Sequence, residues 1–171
     1  MSISKSQRET VRFFDGLSID GYMMPDGSFR VSMSGASILM GFAPNWLGRL
    51  ISRGGTNLKA LQGLGFSGQT EETGTFAGKP AQTISLKDFQ RLLLFGVQAG
   101  KPQAIALQMA LSDMALGDFF RDAFGLRALS IEEKRAKFYQ AFAATLTRQD
   151  WLDWDRGDVE ELEDHARFLG A

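Results

Sequence analysis

A single turn narrows the choice of fold more than anything else in the chain. Pro25-Asp26-Gly27 separates Gly21-Tyr22-Met23-Met24 from Ser28-Phe29-Arg30-Val31. Proline presets φ at the first turn position, and Asp-Gly is the pair most tolerant of positive φ. With apolar and aromatic residues on both sides, this predicts a β-hairpin, and residues 11–32 read as extended. After residue 32 the apolar period changes from two to about three and a half, so helices dominate the rest. The expected class is therefore α+β: a small antiparallel hairpin or sheet, a helix-turn-helix-like segment, then a largely helical C-terminal part.

The helices are bounded by recognisable stops. Ser34 to about Met40 forms the first, with a serine at its start able to cap it and Gly41-Phe42-Ala43-Pro44 to end it. Asn45 to Arg53 forms the second, stopped by Gly54-Gly55, and Asn57 to Gln62 a third, ending at Gly63. Residues 67–80, SGQTEETGTFAGKP, are polar and glycine-rich and read as a loop between two elements. A brief strand at Gln82-Thr83-Ile84 runs into a helix capped by Ser85 and reaching about Gln98, with Leu86, Phe89, Leu93 and Val97 on one face. Beyond the Gly100-Lys101-Pro102 corner a longer helix runs to Phe124. Its apolar content is Ile105, Met109, Leu116, Phe119, Phe120 and Phe124, and it stops at Gly125. Ser130 with Glu133 matches a capping box for the next helix, where Phe138, Phe142 and Leu146 continue an apolar stripe. A last helix is expected from Asp158 to Leu169. The shift near Gly125–Ser130 divides the chain into residues 10–125 and an acidic tail, 126–171.

Composition sets the class of partner rather than the partner. With 44% hydrophobic residues in 171, a core of useful size can form. No apolar run approaches the ~18 residues of a membrane span, and MSISKSQRET lacks the apolar stretch of a signal peptide. Cysteine is absent, which removes disulfides, thiolate metal sites and catalytic thiols. A cytoplasmic address follows by default. The net charge of −1 conceals an asymmetry: residues 1–62 carry seven basic and four acidic side chains, whereas residues 128–171 carry six and ten. A mildly basic front and an acidic back suit an anionic partner at one end, although charge spread for solubility gives the same count.

Several motifs mislead. Gly63-Leu64-Gly65-Phe66-Ser67-Gly68 matches G-x-G-x-x-G, but it follows a helix and enters a loop, the reverse of a dinucleotide fingerprint. Gly74-Thr75-Phe76-Ala77-Gly78-Lys79 is one residue short of a phosphate loop, and Pro80 stands where a hydroxyl must meet magnesium. His165 is the lone histidine, so no two-histidine metal site and no compelling triad exists. Asp150, Asp153, Asp155 and Asp158 cluster around Trp151 and Trp154, and Glu132-Glu133-Lys134 offers an acid–x–lysine string. A magnesium nuclease needs carboxylates converging from a rigid cleft. These lie on a helix end and its connection, or serve as caps, which makes a metal-dependent nuclease the weakest reading. No cofactor and no enzymatic activity is expected.

The segment 34–53 says most. On its second helix Leu47, Leu50 and Ile51 share one face and should pack inward. Asn45, Arg49, Ser52 and Arg53 then lie opposite, within about two turns. Arginine can bridge two acceptors of guanine and asparagine can bond adenine on two atoms. A helix presenting its N-terminal part to bases is how helix-turn-helix modules dock. Arg8, Arg12, Arg30 and Lys59 are candidates for phosphates around it. By spacing alone, an amphipathic helix with solvated arginines is the simpler account.

A family resemblance shifts that balance. The run Ser28-Phe29-Arg30-Val31 into a helix ending Leu39-Met40-Gly41-Phe42 resembles the strand and first helix of the BRO/KilA-type N-terminal domain of phage antirepressors and large DNA viruses. Ile84-Ser85-Leu86 followed by Phe89, Leu92 and Leu93, then Gly100-Lys101-Pro102-Gln103-Ala104, is similar to that family's strand, apolar helix, lysine-proline corner and closing helix. The resemblance spans residues 10–125 in order and spacing, with few identities. It departs at Gly35-Ala36, where the family has an acidic residue before a branched aliphatic, and in the length of the 67–80 loop. It implies a DNA-binding regulator of phage or mobile elements, binding duplex DNA through helix 45–53, and carries over no catalytic residue.

The tail supports an alternative from another class, a protein-interaction module. Its aromatic residues would bind a host or repressor protein, and the near-neutral charge favours this over DNA. Val159, Leu162, Ala166 and Leu169 form a seam that either packs on the chain's own domain or pairs two copies, which would pair two recognition helices on a two-fold site.

Overall fold

The computed structural model describes residues 6–74, 80–146 and Asp150. Among them the element order is β1 (Gln7–Phe14), β2 (Leu17–Met23), β3 (Phe29–Ser32), α1 (Met33–Leu39), α2 (Trp46–Arg53), α3 (Thr56–Gly63), β4 (Glu71–Thr73), β5 (Ala81–Ser85), α4 (Leu86–Gln98), α5 (Pro102–Ala123) and α6 (Ile131–Thr145). The five strands form one antiparallel sheet in the order β1-β2-β3-β5-β4. The protein is an α+β fold with a helical C-terminal part.

The expected hairpin is β2–β3. Met23 pairs with Phe29, the Gly27 amide donates to the Met24 carbonyl at 2.9 Å, and Asp26 accepts from the Ser28 amide at 2.9 Å. Gly27 takes φ +86°, the conformation for which a turn selects glycine. Extended structure begins earlier than residue 11, because Gln7 to Phe14 pairs with β2 across an Asp15-Gly16 turn. The register slips between Arg12 and Phe14, which leaves both Phe13 and Phe14 turned toward α6.

Pleating splits the sheet into two unlike faces. Ile19, Val31 and Ile84 belong to the core, against α1 and α4. Arg30 and Thr83 lie on the other, polar face, with Thr73 bonded to Thr83 at 2.7 Å between hydroxyls. That pair corrects the reading of 67–80 as loop throughout. Residues 71–73 are a strand whose Thr73 is buried, held by β5 on one side.

The cap of α1 also differs from expectation. Ser32, rather than Ser34, accepts the Gly35 amide at 3.0 Å, and α1 starts at Met33. Ser85 caps α4 as expected, and Ser130 with Glu133 closes both halves of a capping box on α6.

The core runs unbroken into α6. Phe138, Phe142 and Leu146 share it with Phe14, Leu107 and Ala110, and Phe142 lies 5.4 Å from Phe14 between ring centroids. Gly125–Ser130 is thus the bend of an α5–α6 helical hairpin packed on β1. Along α5, Met109 and then Leu116, Phe119 and Phe120, with Phe124 at its end, are exposed instead, while Leu111 and Met114 still pack against the core. Trp151, Trp154, Asp153, Asp155, Asp158, His165 and the seam Val159, Leu162, Ala166 and Leu169 lie outside the described residues.

Candidate nucleic-acid interface

The two helices of the 34–53 segment are joined by a buried hydroxyl. Ser37, fully buried on α1, donates to the Met33 carbonyl at 2.9 Å and accepts from the Leu47 amide at 3.3 Å. One side chain thereby fixes the start of α2 against α1. The intervening turn needs a glycine at Gly41, where φ is +85° and a Cβ would stand 2.7 Å from Oε1 of Gln103. Phe42 stacks on Trp46 with centroids 3.8 Å apart, closing the turn onto the core.

With α2 held this way, Leu47 is fully buried, and Leu50 and Ile51 pack partly against the core. The opposite face carries Asn45, Arg49, Ser52 and Arg53. All four line one open groove of about 510 Å³, together with Ser34, Pro44 and Gly48. Its far wall is Ala81 and Gln82 at the start of β5. Asn45 caps α2 without spending its amide on a capping bond, and Ser52 donates to the Gly48 carbonyl at 2.8 Å. Spacing along the chain does not point to Gln82, because only the fold puts residues 82 and 49 on the same groove.

The surrounding cations are placed differently from one another. Arg30 is not set out for a phosphate. It is only 15% exposed, its Nε donates to Thr83 Oγ1 at 2.8 Å, its Nη2 donates to the Thr83 carbonyl at 3.0 Å, and Glu71 stands 3.7 Å away. Arg12 is bound to Asp15 and, at 3.1 Å, to Glu132 of α6, and the bond to Asp15 first among these contacts raises its already high pKa. Arg8 lies 3.9 Å from Asp20. Lys59 is exposed on α3. None of Arg8, Arg12, Arg30 and Lys59 lines the α2 groove.

No protein-family model matches the chain, nor does any curated protein or solved structure.

The acid–x–lysine string is accounted for by structure. Glu132 accepts from Arg12 and, at 2.7 Å, from Arg135, while Lys134 meets Asp118 at 2.9 Å. Glu133 takes both arms of Arg127, at 2.8 and 2.9 Å, and caps Ser130. The Arg127 bonds first, then the Ser130 amide, hold its carboxyl down at about 2. Among the described residues no three His, Cys, Asp or Glu side chains are grouped to hold a metal ion, and no helix is long and apolar enough to cross a membrane.

Proposed function

We propose that the protein is a DNA-binding regulator of the antirepressor kind, with residues 10–125 acting as a BRO/KilA-like domain that lays α2 against duplex DNA. The observation that carries this is the convergence of Asn45, Arg49, Ser52 and Arg53 on one open groove, on a helix whose inner face is locked by Leu47 and Ser37. Two bidentate-capable donors and an amide within two turns have the chemistry to read base edges, and a helix end held rigidly against the core preserves the geometry. Gln82 at the groove wall adds a further amide of the same type. Arg8, Arg12 and Arg30 drop out of the reading as phosphate contacts, since each has an acidic neighbour, which leaves Lys59 as the flanking cation.

The test is fluorescence anisotropy of pooled random duplex DNA at low salt, with the wild type beside Arg49→Ala/Arg53→Ala. Each arginine is worth about 1–3 kcal/mol if it contacts bases or phosphates. The double variant should therefore lose at least about thirtyfold in affinity while melting at the wild-type temperature. Equal binding by the two proteins refutes the reading.

A further inference from the structure

The distal part of α5 carries a broad apolar surface that the described residues leave uncovered. Met109, Leu116, Phe119, Phe120 and Phe124 are between 54 and 76% exposed, and no residue of α5 after Ala110 is fully buried. At 100° per residue Met109, Leu116, Phe120 and Ala123 fall in one narrow sector of the helix. The far side faces α6: Asp118 receives Lys134 at 2.9 Å, and Arg121 Nε donates to the Arg127 carbonyl at 2.9 Å. Among the described residues, α5 is thus covered by the α6 side and open on the other.

The area is large for a monomer. A fully open phenylalanine offers 150–250 Å², so the three rings at their observed exposures leave roughly 400 Å². With Met109, Leu116 and the neighbouring Leu126 and Ile131, the patch is on the order of 700 Å². Soluble monomers rarely expose more than a few hundred square ångströms in one piece, whereas a stable pair buries about 800 Å² per partner.

We propose that a second copy of this chain covers the patch, with the two α5 stripes packing antiparallel about a two-fold axis near Phe120. Three observations favour a like partner over an unlike one. The area is about one half of a standard interface. The charges of the hairpin are balanced, five acidic against five basic side chains over residues 113–137, so two copies do not repel. Gly117 has nothing within 4 Å of where its Cβ would be, which lets the two α5 backbones approach closely. This surface differs from the 159–169 seam, and the inference stands whether or not α2 binds DNA.

Sedimentation equilibrium of the full chain at micromolar concentration tests it. The expected mass is twice 18.9 kDa. Phe120→Glu/Phe124→Glu should weaken the pair by about a hundredfold or more and give a monomer with the wild-type melting curve, since both rings are exposed. An independent reading uses Phe120→Cys, the sole thiol in a chain without cysteine, which mild oxidation should link into covalent pairs at the axis. A wild type that stays monomeric overturns the proposal and assigns the patch to the chain's own residues or to another protein. A pair unmoved by the double change, or a Phe120→Cys chain that never cross-links, overturns it as well.

Discussion

Replacing Arg30 with methionine separates a structural arginine from a phosphate-binding one. The guanidinium bridges β3, β5 and β4: it donates to Thr83 twice, at 2.8 and 3.0 Å, and stands 3.7 Å from Glu71. Hydrogen bonds from a charged donor contribute about 1.5–3 kcal/mol where they are sheltered. The Glu71 carboxylate is half exposed, so its Coulomb share is small. Thr83 keeps bonds to Thr73 and to the Glu71 carbonyl, which softens the loss. The expected cost of Arg30→Met is about 2 kcal/mol, or roughly 4–8 °C in melting temperature for a chain of this size. Differential scanning calorimetry reads the stability, and anisotropy at a temperature where both proteins are folded reads the binding. Duplex affinity and its salt slope should be unchanged. A variant that melts like the wild type but binds duplex more weakly, with a slope smaller by about one, would refute the assignment.

Other consequences are quickly checked. Phe142→Ala removes a ring buried against Phe14 and Phe138, and should cost about 3–5 kcal/mol in urea unfolding; a loss below ~1 kcal/mol would detach α6 from the core. Gly41→Ala forces a side chain onto φ +85° and into Gln103, and should cost about 1–3 kcal/mol. Glu133 has its carboxyl pKa lowered in the folded state, from 4.5 to about 2. The stabilisation it brings is therefore complete above pH 4.5 and fades as pH falls toward 2. The melting temperatures of wild type and Arg127→Ala should converge across that window, and a gap that stays constant would contradict the pairing.

Local chemistry was readable in the sequence wherever one residue type served one backbone need. Pro25-Asp26-Gly27, Ser85 and the Ser130–Glu133 box act within a few residues of themselves, and each stands where the pattern placed it. Asp15-Gly16 is a second turn signal of the same kind and marks the start of β2. Features that depend on distant partners were not readable. Glu71–Thr73 is too short and polar to signal a strand, and is one because Thr83 meets Thr73 across the register. The expected cap lay at the start of the Ser34–Met40 helix, and the end of β3 places Ser32 there instead. The charge of Arg30 pointed to a phosphate until the sheet placed Thr83 beneath it. In α5 the apolar spacing was clear from Met109 to Phe124, but periodicity reports that a face is apolar and not what covers it. On the candidate interface, the face of α2 followed from spacing alone, whereas Gln82 required the fold.

The salt dependence of duplex binding tests the central proposal most directly. If Arg49, Arg53 and Lys59 are the cations that meet the phosphates, a log–log plot of affinity against salt should be linear with a slope of about −2 to −3 per protomer. Arg49→Ala/Arg53→Ala should flatten it to about −1. An absence of binding at the lowest salt, or a slope that the double change leaves untouched, would contradict a DNA-reading role for α2.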